Sequence, residues 1–460
     1  MIRLFRVFVP TRTVTMLVSE LLWITAAFLA AVLLVLPNDF TTFLLDDNGI
    51  WRIVLVVAGA VVILHFHDLY TDLHVKSGFI LLQQLCIVAG ILFLLQGLIA
   101  YFSPDLRVPI RIMVVGSALA ITVIFLWRLL FSEYLLRAVG RDRILLVGST
   151  MLLEEIARQV EDHPEAGSEV VGYVTDGAAK GSGLRGGTVL GGALEIEGIV
   201  EKAQPRRIVV AAPEDDNHVP VSGLLEMRFN GQEVEDAADA YERVSGRVCL
   251  KALCPRKVIY SGDYSPRAPE LFYQTVLNRT LAFVGLVLTL PFLAMVAAAV
   301  KLTSRGPVFT RSTRVGMDGQ RFVLYKFRCL QGPDAETDVW VPRNDPRVTA
   351  VGRFLRLSRG DQLPQLYNVL RGDMAIVGPR PERPEFDNWL VERMPCYRLR
   401  QAVRPGVTGW AQINRKNAGP LDAISSLEYD LYYVKNLSLS LDTFILAHTL
   451  KAIVVSRGDD

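Results

Sequence analysis

Between Arg356 and Pro381 the chain reads RLSRGDQLPQLYNVLRGDMAIVGPRP. Asp361 and Gln362 stand side by side, preceded by Arg356 and Arg359 and followed by Arg371, Asp373 and Arg380. An ordinary core segment does not concentrate acid, amide and guanidinium groups in this way. Asp is a common helix N-cap, and apolar residues at helical spacing follow (Leu363, Leu366, Tyr367, Val369, Leu370), so a solvated loop capping a helix is one reading. The upstream residues favour chemistry. Segments around Phe309 and Phe322 to Phe327 read as short strands, and they carry Arg314, Lys326 and Arg328 toward one side. Lys326 and Arg328 are two positions apart and share a face of a strand. Basic side chains converging there suit phosphate groups, although attraction to an anionic membrane surface predicts the same residues.

The rest of the chain fits a membrane setting. It has 460 residues, 51% of them hydrophobic, and a formal net charge of +2. That length allows two or three domains, and the near-neutral charge gives no sign of a nucleic-acid partner. Five cysteines are scattered with no C-x-x-C, and Cys249 and Cys254 match no zinc spacing, so the thiols read as reduced and structural. Four apolar runs open the chain, at about Val14 to Leu36, Ile53 to Phe66, Phe79 to Phe102 and Val108 to Phe131. Most approach the ~20 residues that span hydrocarbon, and the second does so only if it begins near Trp51. Arg3, Arg6 and Arg12 precede the first run, and Arg128, Arg137, Arg141 and Arg143 gather at the end of the fourth, which places both ends in the cytoplasm. Glu20 and Arg111, inside or at the edge of these runs, read as interfacial side chains that snorkel.

From Arg143 the pattern alternates: a strand at Ile144 to Gly148, a helix at Met151 to Val160, a strand at Glu169 to Asp176, a Gly-rich loop at Gly181 to Gly192, a helix to about Ala203 and a strand from Arg206. This order implies a parallel, doubly wound sheet. The turn Gly148-Ser149-Thr150 lacks the G-x-G-x-x-G fingerprint, so the domain reads as a degenerate Rossmann-like scaffold or dimerisation module rather than a nucleotide sensor. A fifth apolar run, Leu281 to Val300, has Pro291 at its centre and basic residues on both sides (Arg267 and Arg279 before; Lys301, Arg305, Arg311 and Arg314 after). A spanning helix would put one of those clusters outside. A helix that breaks at Pro291 and returns within one leaflet keeps both in the cytoplasm.

The motifs LYKFR, DQLPQLYNVLRGDM, VGPRPERPEF, VRPGVTGWAQIN and YDLYYVKN, in this order, resemble the catalytic domain of the bacterial polyprenyl-phosphate hexose-1-phosphate transferases, the phosphoglycosyl transferases that start exopolysaccharide or O-antigen synthesis. The resemblance covers Gln274 to about Arg457, and the preceding four runs and α/β domain match that family's large architecture. It implies three parts: four transmembrane helices (1–138), a Rossmann-like cytoplasmic domain (139–262) and a mixed α/β catalytic domain (263–460) with a re-entrant helix at about 279–301. It also implies transfer of a sugar 1-phosphate from a UDP-sugar to undecaprenyl phosphate, with UMP released, through a covalent phosphosugar on an aspartate, with Mg²⁺. By motif, Asp361 falls on the nucleophile and on the metal site, with Gln362 beside it. Arg314, Lys326, Arg328, Arg356, Arg380, Arg383 and Arg404 would line the substrate phosphates, and Pro291 falls on the helix-breaking proline. The expected setting is a multi-pass protein of the bacterial inner membrane, in contact with its lipid, with a cytoplasmic catalytic domain and a homodimeric assembly.

One position departs from the family, which has Asp-Glu where this chain has Asp361-Gln362. The amide is isosteric with a carboxylate and offers an oxygen, but it carries no charge. Asp334, Glu336 and Asp338 could supply a carboxylate but read first as a solvated acidic loop, and Asp373 is another acid in reach, or a turn partner for an arginine. A weakened pseudo-transferase that scaffolds the polysaccharide machinery is the alternative that Gln362 alone favours. A membrane-bound nucleotide-sugar dehydratase fails for want of a G-x-x-G-x-x-G turn and a Tyr-x-x-x-Lys pair.

Overall fold

The computed structural model describes residues 11–67, 69–70, 77–132, 142–148, 150–162, 167–176, 181–184, 186–211, 221–253, 264–331, 345–415 and 423–455, with a few more near the amino end and at 258 and 260. Arg137, Arg141, Cys254 and the segment holding Asp334, Glu336 and Asp338 lie outside them. The chain divides into two compact units, essentially Phe8–Ala237 and Ala238–Asp460.

The first unit opens with four apolar helices: α1 (Thr11–Val35), α2 (Gly49–Phe66), α3 (Gly78–Phe102) and α4 (Ile110–Leu130). The second reaches back to Gly49, which gives it 18 residues, roughly 27 Å at 1.5 Å per residue. All four are long and apolar enough to cross a membrane. Ile24, Phe28, Val56, Leu85, Ile112 and Ile124 pack in the bundle interior, while Leu22, Leu34, Val62 and Leu94 face outward. Glu20 does not snorkel. It is fully buried, and the Arg128 guanidinium donates to its Oε1 at 2.6 Å and to the Leu69 carbonyl at 2.8 Å. A charge inside an apolar bundle is held by an opposite charge on a facing helix. Arg111 is exposed, as expected.

The same unit contains a six-stranded sheet: β1 (Asp142–Val147), β2 (Ser168–Val174), β3 (Gly183–Leu184), β4 (Gly187–Gly191), β5 (Arg207–Val210) and β6 (Glu233–Asp236). Their spatial order is β3-β4-β2-β1-β5-β6. Every pairing is parallel except the β3–β4 hairpin. The reversal between β1 and β5 is that of a doubly wound sheet. Leu145, Leu146 and Val147 are buried, as befits a strand covered on both faces. Two features differ from the sequence reading. The glycine-rich stretch forms the β3–β4 hairpin rather than a loop, and β6 (EVED) is a strand its charges disguise. Arg207 explains how charge is tolerated there, since it pairs with Asp142 on β1 at 3.2 Å and with Glu233 on β6 at 2.9 Å, across three neighbouring strands.

Between the strands of the first unit run helices α5 (Met151–Asp162), α6 (Ile196–Ala203) and α7 (Val221–Phe229). In the second unit α8 (Ala237–Ser245) packs through Glu242, which pairs with Lys435 at 2.8 Å. The long apolar helix α9 spans Ala268–Thr303. Its helical backbone runs through Pro291 without a gap, so the expected break is at most a bend. A proline removes one hydrogen bond, and the Leu, Ala and Met residues around it are good helix formers. An antiparallel hairpin follows, β7 (Phe309–Val315) with β8 (Arg321–Phe327). Then come α10 (Ala350–Leu357), a 3₁₀ turn (Gly360–Gln362), α11 (Gln365–Arg371), and β9 (Ala375–Val377), which pairs in parallel with β10 (Gly406–Thr408). Helices α12 (Pro384–Arg393), α13 (Ala423–Lys435) and α14 (Leu439–Val455) complete the unit. Trp410 is a core residue here, stacked on Tyr432 and donating to the Gly246 carbonyl at 2.7 Å.

Removing one member of a buried ion pair leaves the other charge unpaired, at about 3–5 kcal/mol. Glu20→Ala is therefore expected to lower the melting temperature of the detergent-solubilised protein sharply. The double replacement Glu20→Leu with Arg128→Met should recover most of the loss; equal melting of Glu20→Ala and the parent would show that the pair carries no stability.

Candidate active site

The β7–β8 hairpin sets the basic side chains. Thr310 lies opposite Lys326, Ser312 opposite Leu324 and Arg314 opposite Phe322. Directly opposed residues share a face, so Lys326 and Arg314 emerge on the same side, with buried Leu324 between them. Asn368 of α11 secures the outer edge of β8. Its Oδ1 accepts from the Tyr325 amide at 3.2 Å and its Nδ2 donates to the Val323 carbonyl at 2.7 Å. The side chain is fully buried and acts as a one-residue substitute for a neighbouring strand.

Asp361 is placed by the turn between α10 and α11. The Thr349 hydroxyl caps α10 by accepting from the Gly352 amide at 2.9 Å. Arg359 then adopts a left-handed conformation, φ 52°, which costs a non-glycine residue roughly 1 kcal/mol. That reversal starts the 3₁₀ turn bearing Asp361 and Gln362. Burial pushes the Asp361 carboxyl above the usual range, against the pull of Lys326, its own backbone amide, Arg356 and Arg359. Burial likewise lowers the Lys326 ammonium to about 8, helped by Arg380 and Arg314 and opposed by Asp361. Arg314 falls to about 10, chiefly through burial, with Glu382 opposing and Arg383 and Arg380 adding to the fall. The Cys329 thiol, pushed up to about 12 by burial and then by Asp361, lies in the same neighbourhood. Asp361, Arg314, Lys326, Arg356, Arg380 and Arg383 thus share one site, in which positive charge outweighs negative and is partly desolvated. Such a place favours a polyanion.

The Arg380–Arg383 loop is held from behind. Arg314 Nη1 donates to the Pro381 carbonyl at 3.2 Å. Arg400 donates to the Arg380 carbonyl at 2.8 Å, pairs with buried Asp430 at 2.8 Å and donates to the Tyr397 hydroxyl. Arg400, Asp430 and Asn368 were not among the residues expected from sequence. Asn368 left a signal there as a lone amide on the apolar side of LYNVL, and Asp430 lies within the motif YDLYYVKN.

Arg328 and Arg404 are engaged by backbone carbonyls and hydroxyls. Arg328 is buried and its guanidinium donates to the carbonyls of Ser304 and Arg305 and to the Ser304 hydroxyl, closing the carboxyl end of α9. Arg404 donates to the Gly372 carbonyl at 3.1 Å and the Thr275 hydroxyl at 2.6 Å. Gly372 follows the last residue of α11, whereas Asp361 precedes its first, so the length of α11, roughly 10 Å for seven residues, intervenes. Asp373 pairs with Arg371 at 3.4 Å, a structural partnership. Among the described residues no group of three or more His, Cys, Asp or Glu side chains is placed to hold a metal. Asp361 and the Gln362 amide oxygen remain as donors, which suits a Mg²⁺ ion that takes one or two protein ligands and completes its shell with substrate phosphates.

Residues 269–456 match the family described as bacterial sugar transferase. A UDP-glucose:undecaprenyl-phosphate glucose-1-phosphate transferase of Caulobacter vibrioides is 37% identical over 42% of this chain and 74% of its own length. The chain belongs to the bacterial sugar transferase family. A UDP-glucose:undecaprenyl-phosphate glucose-1-phosphate transferase of Escherichia coli is 43% identical over 37% of this chain and 38% of its own. A UDP-N-acetylgalactosamine-undecaprenyl-phosphate N-acetylgalactosaminephosphotransferase of Aeromonas hydrophila is 36% identical over 47% and 51%. The matched segment therefore spans about half, or less, of these last two relatives. The family match takes in α9, the Asp361 turn and the Arg380 loop, while the apolar helices of the first unit make the chain a membrane protein.

Asn368→Leu keeps the shape but leaves the Tyr325 amide and Val323 carbonyl without their partner, at about 1–3 kcal/mol for each group. Thermal unfolding in detergent is expected to shift down by the equivalent of ~2 kcal/mol or more. An unshifted transition would show that the hairpin edge does not need the amide.

Proposed function

We propose that this protein transfers a sugar 1-phosphate from a UDP-sugar to undecaprenyl phosphate, giving an undecaprenyl diphosphate sugar and UMP. This would be the first membrane step of exopolysaccharide or O-antigen synthesis, at the cytoplasmic face of a bacterial inner membrane. One observation carries the reading: Asp361, a half-buried carboxylate on a tight turn, faces Lys326 and Arg356 within a surplus of cations. An Asp361 oxygen attacks the phosphorus that bears the sugar, the bond to the bridging oxygen breaks, and UMP leaves with that electron pair. An oxygen of undecaprenyl phosphate then attacks the same phosphorus and frees the carboxylate. Burial makes Asp361 more basic, hence more nucleophilic, than a solvated carboxylate, and Lys326 favours its ionised form. Lys326, Arg314, Arg380 and Arg383 offset charge on the transferring and leaving oxygens. Asp361 and Gln362 would hold Mg²⁺ jointly with the donor phosphates, and such an ion, when bound, offsets charge on the diphosphate. UDP-glucose is the first donor to try, because it appears in the names of two of the relatives above.

The re-entrant reading of α9 belongs to the same proposal. Gln274 donates to Tyr433 and Asp442, and the Asn278 side chain accepts from the Ile376 amide. Ala282 packs with Leu324, Val369 and Met374. Past the proline, Val296 and Val300 pack with Phe327 and Leu355, and Arg328 closes the end. None of the residues from 283 to 295 is buried. Both ends thus fasten to one body, and a helix crossing the bilayer would separate them. The chain is taken to act as a homodimer, which light scattering in detergent would read as twice the protein mass.

UMP release from UDP-glucose with undecaprenyl phosphate and Mg²⁺ is the direct test. Asp361→Asn is expected to abolish it, by about a thousandfold or more, and Gln362→Glu to change it far less. No release above the Asp361→Asn background with any UDP-sugar would overturn the reading in favour of a scaffold. The pH profile of kcat/KM adds a second test. Asp361 must be ionised, so the acid limb should lie above the ordinary aspartate value of ~3.9. Lys326 must be protonated, so activity should fall as pH rises through about 8. Lys326→Arg should move that limb to higher pH, and an unmoved limb would exclude Lys326. Cysteines placed across Ser304 to Arg314 should label from the cytoplasm only; labelling from the other side would rule out re-entry.

A further inference from the structure

A second cationic site lies at the far end of α11 from Asp361. Gly372 closes that helix with φ +96°, and it has no side chain on the face that Arg279 occupies: a Cβ there would stand 2.7 Å from Arg279 Nη2. The Gly372 carbonyl accepts from Arg404 Nε at 3.1 Å, while Arg404 Nη1 donates to Thr275. Two guanidiniums thus converge on one glycine. The carboxyl end of α11 offers partial negative charge to one of them. Among the described residues no carboxylate lies within ion-pair distance of either Arg279 or Arg404, and burial followed by the Arg279 charge lowers the Arg404 value. Arg404 is held beside Arg279 by backbone and hydroxyl contacts, and among the described residues no carboxylate offsets the pair.

The surroundings indicate which anion. Arg279 sits on α9 between exposed Phe272, Tyr273, Val276 and Leu277 on one side and exposed Leu281, Phe283 and Val284 on the other. It stands twelve positions before Pro291, roughly 18 Å along the helix. On a helix that enters a leaflet as far as Pro291, that distance reaches the level at which lipid phosphates lie.

We propose that Arg279 and Arg404, brought together over Gly372, clamp the phosphate of a membrane phospholipid headgroup and so fix the depth at which α9 enters the leaflet. The ligand chemistry is a lipid phosphate ester held by two guanidiniums. Undecaprenyl phosphate shares that chemistry. The phospholipid is favoured because the site stands a helix length away from Asp361, where the acceptor phosphate would have to react. The inference is independent of the transferase reading, since it concerns lipid binding and not turnover.

The full chain, purified in detergent and freed of bound lipid, is titrated with phosphatidylglycerol, and the complexes are counted by native mass spectrometry. The parent is compared with Arg279→Gln, Arg404→Gln and the double variant. At about 1 kcal/mol for each interfacial basic residue, each single change should weaken binding roughly fivefold and the double change roughly twenty- to thirtyfold. Arg305→Gln, at the other end of α9, should leave it unchanged. Unaltered affinity in the double variant, or an equal loss in Arg305→Gln, would overturn the clamp. A parallel titration with undecaprenyl phosphate separates the sources: a loss confined to that lipid, with phosphatidylglycerol binding intact, would overturn the headgroup assignment. Arg279→Gln leaves the Arg404 contacts with Gly372 and Thr275 in place, so it tests the clamp even where Arg404→Gln does not fold.

Discussion

The catalytic unit depends on keeping several cations close around one half-buried carboxylate. Lys326, Arg314, Arg380 and Arg383 repel one another, and burial adds to the cost. Such an arrangement is stable only if the backbone that carries it is fixed from outside the site. The fold supplies that fixing through buried polar anchors behind the Arg380–Arg383 loop. Arg400, with Asp430 and Tyr397, holds the Arg380 carbonyl; Arg314 holds the Pro381 carbonyl with the same side chain that contributes charge. The cost of crowding is thereby met in the buried scaffold, and the open side is left attractive to a polyanion.

The same logic recurs at the membrane helices, with the sign of the problem changed. In the first unit the difficulty is a charge in an apolar bundle, and a single opposite charge answers it: Glu20 takes Arg128. In the second the difficulty is a long apolar helix whose two ends both pack on the rest of the unit. Amide, hydroxyl and carboxyl groups answer it at the near end, through Gln274, Asn278, Tyr433 and Asp442. Arg328 answers it at the far end, satisfying the last carbonyls.

Much of this was legible in the sequence where periodicity or composition speaks directly. The apolar helices, the alternation of the α/β region, the β7–β8 hairpin and the turn at Asp361 follow from hydrophobic pattern, and four helix positions agree to within a few residues. The charged edge strand EVED was hidden because its stability comes from Arg207, distant in sequence. The β3–β4 hairpin was hidden because glycines read as loop when taken alone. For Arg328 and Arg404, residue type and motif position say that a guanidinium is present, not which carbonyl it will find. The Arg400–Asp430 pair has no signature in the sequence, because burial of a charge is decided by the partner's position in three dimensions.

A two-stranded hairpin leaves an outer edge whose amides and carbonyls invite pairing with another chain, and a protein at high local density on a membrane meets such chains often. In β8 that edge is occupied by the Asn368 carboxamide, which reproduces the donor and acceptor of a neighbouring strand in one side chain. The residue that ties α11 to the hairpin therefore also denies the strand to other copies. A change at this position would be felt twice, once as a loosened site and once as a tendency to assemble edge to edge.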